Sequence, residues 1–147
     1  MRAPFQVLVI PYRCSNGIPE YCLLKRSDCG FWQFVAGGGE DDETPLQTAA
    51  RETLEEIGVD TDKNFRCLES QSAIPRNCFA ASAHWDRELI VIPEYHFAVD
   101  VAEREPVLSN EHTEYMWKDC ATDLPILKWE SNRIALQELD QYLRWSL

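Results

Sequence analysis

The chain has 147 residues, 45% of them apolar, with five tryptophans and a formal net charge of -11. Length and composition fit one folded domain (residues 1–147) with a proper core, and they exclude a disordered chain. The acidic excess argues against nucleic acid or an anionic membrane as main partner, because phosphate contacts draw on clustered lysine and arginine.

Phe5 to Tyr12 is an apolar, β-branched run that predicts a central strand. Asn16-Gly17 marks a turn, and Tyr21 to Lys25 supplies the return strand. Lys25 and Arg26 close that strand either as a solvated terminus or as a phosphate clamp. Phe31 to Ala36 is a short aromatic stretch leading into Gly37, Gly38 and Gly39, read as a turn in which positive φ brings backbone close to a ligand. A helix follows, capped by Thr44, with Pro45 at its first position and Gln47 completing a capping box; Gly58 ends it. Leu46, Ala50, Leu54 and Ile57 form its expected packing stripe.

Glu52, Glu55 and Glu56 stand at i, i+3 and i+4 on this helix, so their carboxylates share one face. Each like-charge pair costs about 0.2 to 0.5 kcal/mol in an isolated helix, with Arg51 as the local offset. A hard divalent cation relieves that repulsion, since magnesium and manganese prefer carboxylate oxygens. A solvated acidic face is the simpler reading of three glutamates taken alone.

Beyond the helix, Phe65 to Ser72 predicts a strand. Ala73 to Arg87 predicts a long loop or hairpin whose Arg76, Phe79 and Trp85 are candidate substrate contacts, with core packing the simpler reading of each aromatic taken singly. Leu89 to Val101 is extended, and Pro93 within it implies a bulge or an edge. After the polar loop Ser109 to Thr113 comes a strand from Glu114 to Lys118. Ser131 then opens a last helix to Arg144, with apolar spacing at Ile134, Leu136, Leu139, Tyr142 and Leu143. Strands on both sides of an early helix, with another helix at the end, imply an α/β architecture. The six cysteines form no C-x-x-C pair and follow no signal-like segment, so free thiols in a reducing cytoplasm are expected, with zinc second.

Gly37, five residues, Glu43, seven residues, Arg51-Glu52, two residues, Glu55-Glu56, one residue, Gly58 and the aliphatic Val59 together resemble the signature of the Nudix hydrolases. Thr53 departs from it, standing where the family has a bulky aliphatic residue. The resemblance implies an α/β/α sandwich with a mixed sheet between helices, and hydrolysis of a diphosphate linkage in a small phosphorylated substrate. It also implies Mg2+, replaceable by Mn2+, on Glu52, Glu55, Glu56 and the backbone carbonyl of Ala36. Arg51 would pair with an acid of the motif such as Glu43. Outside the motif, Phe31-Trp32-Gln33, the Glu111-His112-x-x-Tyr115-x-Trp117 segment and Ser131-Asn132-Arg133 are similar to bacterial dihydroneopterin triphosphate pyrophosphatases. That likeness implies Glu111 as general base or additional ligand, and a structural His112. It further implies a pterin or purine triphosphate, for whose ring Trp32 or Phe79 offers stacking and Gln33 or Asn132 a polar contact, each of them reading equally as packing or a cap; Arg26 at the strand end is the candidate phosphate contact. Hydrolysis of ordinary nucleoside triphosphates or dinucleoside polyphosphates, and a nucleotide-sensing module without turnover, stand as alternatives; the intact set of carboxylates favours an enzyme.

Overall fold

A computed structural model of the chain describes residues 1–61 and 63–146. Seven strands form one mixed sheet: β1 (Arg2–Ser15), β2 (Ile18–Arg26), β3 (Trp32–Gln33), β4 (Val35–Glu40), β5 (Phe65–Pro75), β6 (Val91–Asp100) and β7 (His112–Lys118). The helices are α1 (Pro45–Ile57), the single turn α2 (Cys120–Asp123) and α3 (Glu130–Ser146). This is the α/β arrangement expected, and no described helix is long and apolar enough to cross a membrane.

Strand β1 is the axis. It runs parallel to β6 on one side, and on the other it pairs antiparallel first with β4 and then with β2. Its two faces follow the period-two alternation of a strand buried on both sides. Val7 and Val9 join Cys22, Leu24, Val35, Ala49 and Ile57 in a core beneath α1. Leu8 and Ile10 join Tyr21, Leu23, Phe34, Leu136 and Leu139 in a second core beneath α3. The sheet thus lies between the two long helices.

Several local expectations change. Gly37, Gly38 and Gly39 lie within strand β4 rather than in a turn. Positive φ among the described glycines falls at Gly17, Gly30 and Gly58. The reason for the three glycines is space: a Cβ on Gly37 would sit 2.1 Å from the Glu52 side chain, and one on Gly39 would sit 2.2 Å from the Phe5 ring. Helix α1 has the predicted ends, with Thr44 and Gln47 exchanging side-chain and backbone hydrogen bonds and Gly58 left-handed at φ 70. Its packing face, however, is Thr48, Ala49, Thr53, Glu56 and Ile57, while Leu46 and Leu54 are nearly half exposed. Small residues on that face let the helix lie close to the glycine strand. Thr53 is fully buried and its hydroxyl donates to the Ala49 carbonyl at 2.7 Å, so the departure from an aliphatic residue leaves no orphaned polar atom.

The segment from Ala73 combines the two expected forms, since its first residues pair antiparallel with Val91 to Pro93 and the rest is loop. β5 continues to Pro75, and two short 3-10 turns, Arg76–Cys78 and Ala80–His84, follow. The bulge lies in β5, where the register jumps from Cys67 opposite Phe97 to Gln71 opposite Tyr95. Pro93 stays in register opposite Ala73, just before β6 begins pairing with β1 at Glu94, so its missing N–H falls where β6 has a single neighbour. Helix α3 begins at Glu130, and its first turn closes on the Trp129 carbonyl rather than on a Ser131 cap. It buries Ala135, Leu136, Leu139 and Leu143, leaving Ile134 and Tyr142 exposed. Tyr142 lies under the Arg66 guanidinium at 3.7 Å.

One buried acid has no partner in this packing. Asp123 in α2 is fully enclosed with neither carboxylate oxygen hydrogen-bonded, and burial pushes its pKa up from 3.8 to about 8. The folded chain therefore keeps a proton that the unfolded chain releases, and stability falls as pH rises from about 4 to about 8. Asp123→Asn is expected to flatten that slope and to add about 1 kcal/mol or more at pH 8, measured by urea unfolding across the pH range.

Candidate active site

The site is built where α1 crosses β4. Arg51 ties them together: its Nε and Nη2 donate to the two oxygens of Glu43 at 2.8 and 2.9 Å, and Nη2 also donates to the Gly38 carbonyl at 2.9 Å. Nη1 reaches Glu52 at 2.9 Å and the Glu55 carboxylate at 3.3 Å. The expected Arg51–Glu43 pair is present, and it holds the Glu43 carboxyl down to about 2. Glu52 is held on one side by Arg51 and fills the space left by Gly37 on the other.

The three helix glutamates occupy different surroundings. Glu55 is more than half exposed and borders Arg51, whereas Glu52 is largely buried and Glu56 almost fully so. Burial first, then the hydrogen bond and charge of Glu52, push the Glu56 carboxyl up to about 10. Burial also raises Glu52. Glu56 Oε1 lies 3.6 Å from His112 Nε2, while Glu56 Oε2 and His112 Nδ1 have no hydrogen-bond partner. Burial lowers the His112 pKa, with Arg26 adding to it, so both groups lean to their neutral forms and the pair is a contact rather than an ion pair.

Glu111 follows on the loop before β7. Its backbone carbonyl accepts from both the N–H and the hydroxyl of Ser27, each at 2.9 Å, and its own N–H donates to the Ser109 hydroxyl at 3.3 Å. This lacing brings donor atoms of Glu56, Glu111 and His112 within 4.8 Å of one another. An orphaned carboxylate oxygen, a raised buried acid and a second carboxylate at this separation fit an oxygen-preferring divalent cation. A cavity of about 460 Å3 opens here, lined by Arg26, Asp28, Ala36, Glu52 and Glu111 among others. Arg26 donates to Asp28 at 2.9 and 2.6 Å, so it is an anchored cation rather than a mobile clamp.

Arg26 and Ala36 also border a second, more apolar cavity of about 380 Å3, whose other walls include Gln33, Phe79, Glu94, Trp129 and Asn132. Four of the residues expected to meet substrate, Arg26, Gln33, Phe79 and Asn132, are thus gathered around one space. Trp32 is not. It packs into the core below α3, and its carbonyl accepts from Lys128 N–H at 3.2 Å. Trp129 stands in its place, donating its indole N–H to Gln33 Oε1 at 3.0 Å. Asn132 accepts the Phe34 N–H at 2.9 Å, fixing the end of β3 to α3. Arg76 is structural: it donates to the carbonyls of Asp86, Leu89 and Ser82 and holds the loop around itself. Trp85 is buried, its indole bonded to the Arg2 carbonyl at 3.0 Å.

Trp129, Cys78 and Glu94 are cavity walls that the sequence pattern alone does not single out. For Glu94 a signal exists, since Glu94 and His96 put polar side chains on one face of the strand between the apolar Ile92 and Ala98.

Residues 4–138 match the NUDIX domain model, and the chain belongs to that family. It is an enzyme, a hydrolase of diphosphate linkages. Its fold superposes on that of a Listeria monocytogenes protein solved as a candidate NUDIX hydrolase, with TM-score 0.88 and 39% identity, covering 98% of this chain and 97% of that one. The E. coli dihydroneopterin triphosphate pyrophosphohydrolase is similar at TM-score 0.75 and 26% identity, with 96% and 97% covered. A dihydroneopterin triphosphate diphosphatase of Haemophilus influenzae is 31% identical over 136 residues, 90% of this chain and 84% of that protein.

Because the Glu52 side chain occupies the volume of the missing Gly37 Cβ, Gly37→Ala is expected to displace that carboxylate. Turnover should fall by about tenfold to a hundredfold. Steady-state kinetics beside a far-ultraviolet circular dichroism melt will separate this from loss of fold.

Proposed function

We propose that the chain is a metal-dependent pyrophosphohydrolase that splits dihydroneopterin triphosphate into the pterin monophosphate and pyrophosphate. The observation that carries this reading is the pair of cavities sharing Arg26 and Ala36. A carboxylate-rich end with one anchored cation adjoins an end walled by amides and aromatics. That layout suits a molecule with a polyphosphate at one end and a flat polar ring at the other. The similarity to proteins named for dihydroneopterin triphosphate, spread over most of the chain, supports the choice of ring.

Glu52, Glu56 and Glu111 would hold Mg2+ or Mn2+, with Glu55 and the Ala36 carbonyl at the margin of the set. The ion supplies charge neutralisation and Lewis acidity at the phosphates. Arg51 keeps Glu52 in place through its shared bonds to Glu43 and Gly38. Arg26, steadied by Asp28, offers positive charge to the phosphate chain. A water oxygen bonds to phosphorus at the α–β bridge, the bridging P–O bond breaks, and the Glu111 carboxylate accepts the water's proton. Glu111 suits that task because it is exposed at the cavity edge, whereas Glu56 is enclosed between Glu52 and His112. Reducing cytoplasm, with the thiols of Cys14, Cys22, Cys29, Cys67, Cys78 and Cys120 free as the structure has them, is the proposed setting.

Hydrolysis is expected to stop in chelator and to return with Mg2+ or Mn2+. kcat/KM should be higher for dihydroneopterin triphosphate than for nucleoside triphosphates, dinucleoside polyphosphates or sugar nucleotides, with pyrophosphate identified by phosphorus NMR. Full turnover without metal defeats the metal assignment, and preference for another substrate defeats the pterin assignment alone.

Glu56→Gln is expected to lower kcat by on the order of a hundredfold or more while leaving the metal-free fold as stable or more so, because it removes a buried acid from beside Glu52. Glu111→Gln should lower kcat by a similar order with little change in KM. A change confined to KM would move Glu111 from proton transfer to binding.

A further inference from the structure

The floor of the ring cavity holds a carboxylate that the hydrolytic machinery does not use. Glu94 is 6% exposed, at the point where β6 starts to pair with β1, and it lines the same cavity as Gln33, Trp129 and Asn132. Its Oε1 lies 3.0 Å from His96 Nε2, and His96 is fully buried. The Ser70 hydroxyl lies 3.0 Å from His96 Nδ1. Both contacts are satisfied together when Nε2 carries the ring hydrogen and Nδ1 accepts from Ser70. Ser70 is itself fixed, its N–H donating to Glu138 of α3 at 2.8 Å. The carboxylate is therefore held by a chain of bonds reaching back into the fold, and Oε2 takes no part in the His96 contact.

Resting on the function proposed above, the geometry points to Glu94 as the residue that selects the ring, by accepting the paired N–H and NH2 donors of a 2-amino-4-oxo pyrimidine edge. Pterin and guanine carry that edge. A carboxylate has acceptors only, and each oxygen has two lone pairs, so Oε1 can accept one ring donor beside the His96 contact while Oε2 accepts the other. Adenine and cytosine place a bare ring nitrogen next to their amino group, so a lone pair would face a carboxylate oxygen. Gln33 supplies the complement: its Oε1 is already taken by the Trp129 indole, which leaves its NH2 as the donor for the ring carbonyl. Three of the ring's polar groups then meet opposite polarity within one cavity.

GTP and ITP isolate the idea, because they differ by the 2-amino group alone. The wild-type enzyme is expected to favour GTP in kcat/KM by about tenfold or more, since a buried acceptor facing a missing donor is left unsatisfied. Glu94→Gln, which offers one donor and one acceptor, should bring the ratio close to one and weaken use of dihydroneopterin triphosphate. Glu94→Asp, which keeps the carboxylate, should retain part of the preference. Equal efficiency for GTP and ITP in the wild type, or an unchanged ratio in Glu94→Gln, overturns the assignment, and neither reading depends on a variant folding poorly, because the first needs no variant. If no triphosphate is hydrolysed with Mg2+ or Mn2+, the proposed function fails instead. Titration of tryptophan fluorescence with guanosine and inosine then decides Glu94 by itself: tighter guanosine binding supports it, and parity or no binding overturns it.

Discussion

The Arg51 guanidinium is the constraint on which the rest of the site depends. Glutamates on a helix face repel one another, and two of them here are also drawn out of water, so the cluster has no reason to hold its shape unaided. Arg51 answers both problems at once. Its planar fork spans the helix, the Glu43 carboxylate and the Gly38 carbonyl of the neighbouring strand, a set of bonds that a lysine ammonium cannot reproduce. The strand must then come close enough to be reached, which is why three successive residues there lack side chains and why α1 turns its small residues inward.

That close approach also explains why the two ends of the substrate space differ so much in character. On the α1 side of β4 the helix delivers carboxylates. On the α3 side of the sheet, the same strand neighbours meet amides and aromatics from β3 and from the start of α3. Arg26 and Ala36 sit where the two regions join. Different elements thus supply the carboxylates of one cavity and the amides and aromatics of the other, and the two cavities meet at shared walls.

Much of this was legible in the sequence where the signal was local. The capping box, Gly58, the Arg51–Glu43 pair and the period-two strands need no information beyond neighbouring residues. What was lost depended on distance. The glycines read as a turn because flexibility is a glycine's local meaning, whereas their use here is to admit Glu52 and Phe5 from elsewhere in the chain. Leu46, Leu54 and Ile57 read as one packing stripe by spacing, yet only Ile57 is buried, and Thr48, Ala49 and Thr53 take the positions nearest the glycine strand. Trp32 reads as a stacking residue because it precedes the motif, yet Trp129 is the tryptophan that walls the cavity. Which of two tryptophans faces a cavity is set by the segment leading into α3, nearly a hundred residues later.

The bulge in β5 has a mechanical consequence. At that break in the ladder, the freed N–H groups of Glu69 and Ser70 turn to the Glu138 carboxylate at 2.7 and 2.8 Å, latching the C-terminal helix to the sheet edge. Ser70 is also the residue that touches His96, and His96 touches Glu94. The last helix and the floor of the ring cavity are thereby geared together. Sequence drift on a remote helix face therefore has a bonded route to the Glu94 carboxylate that bypasses every other wall of the cavity.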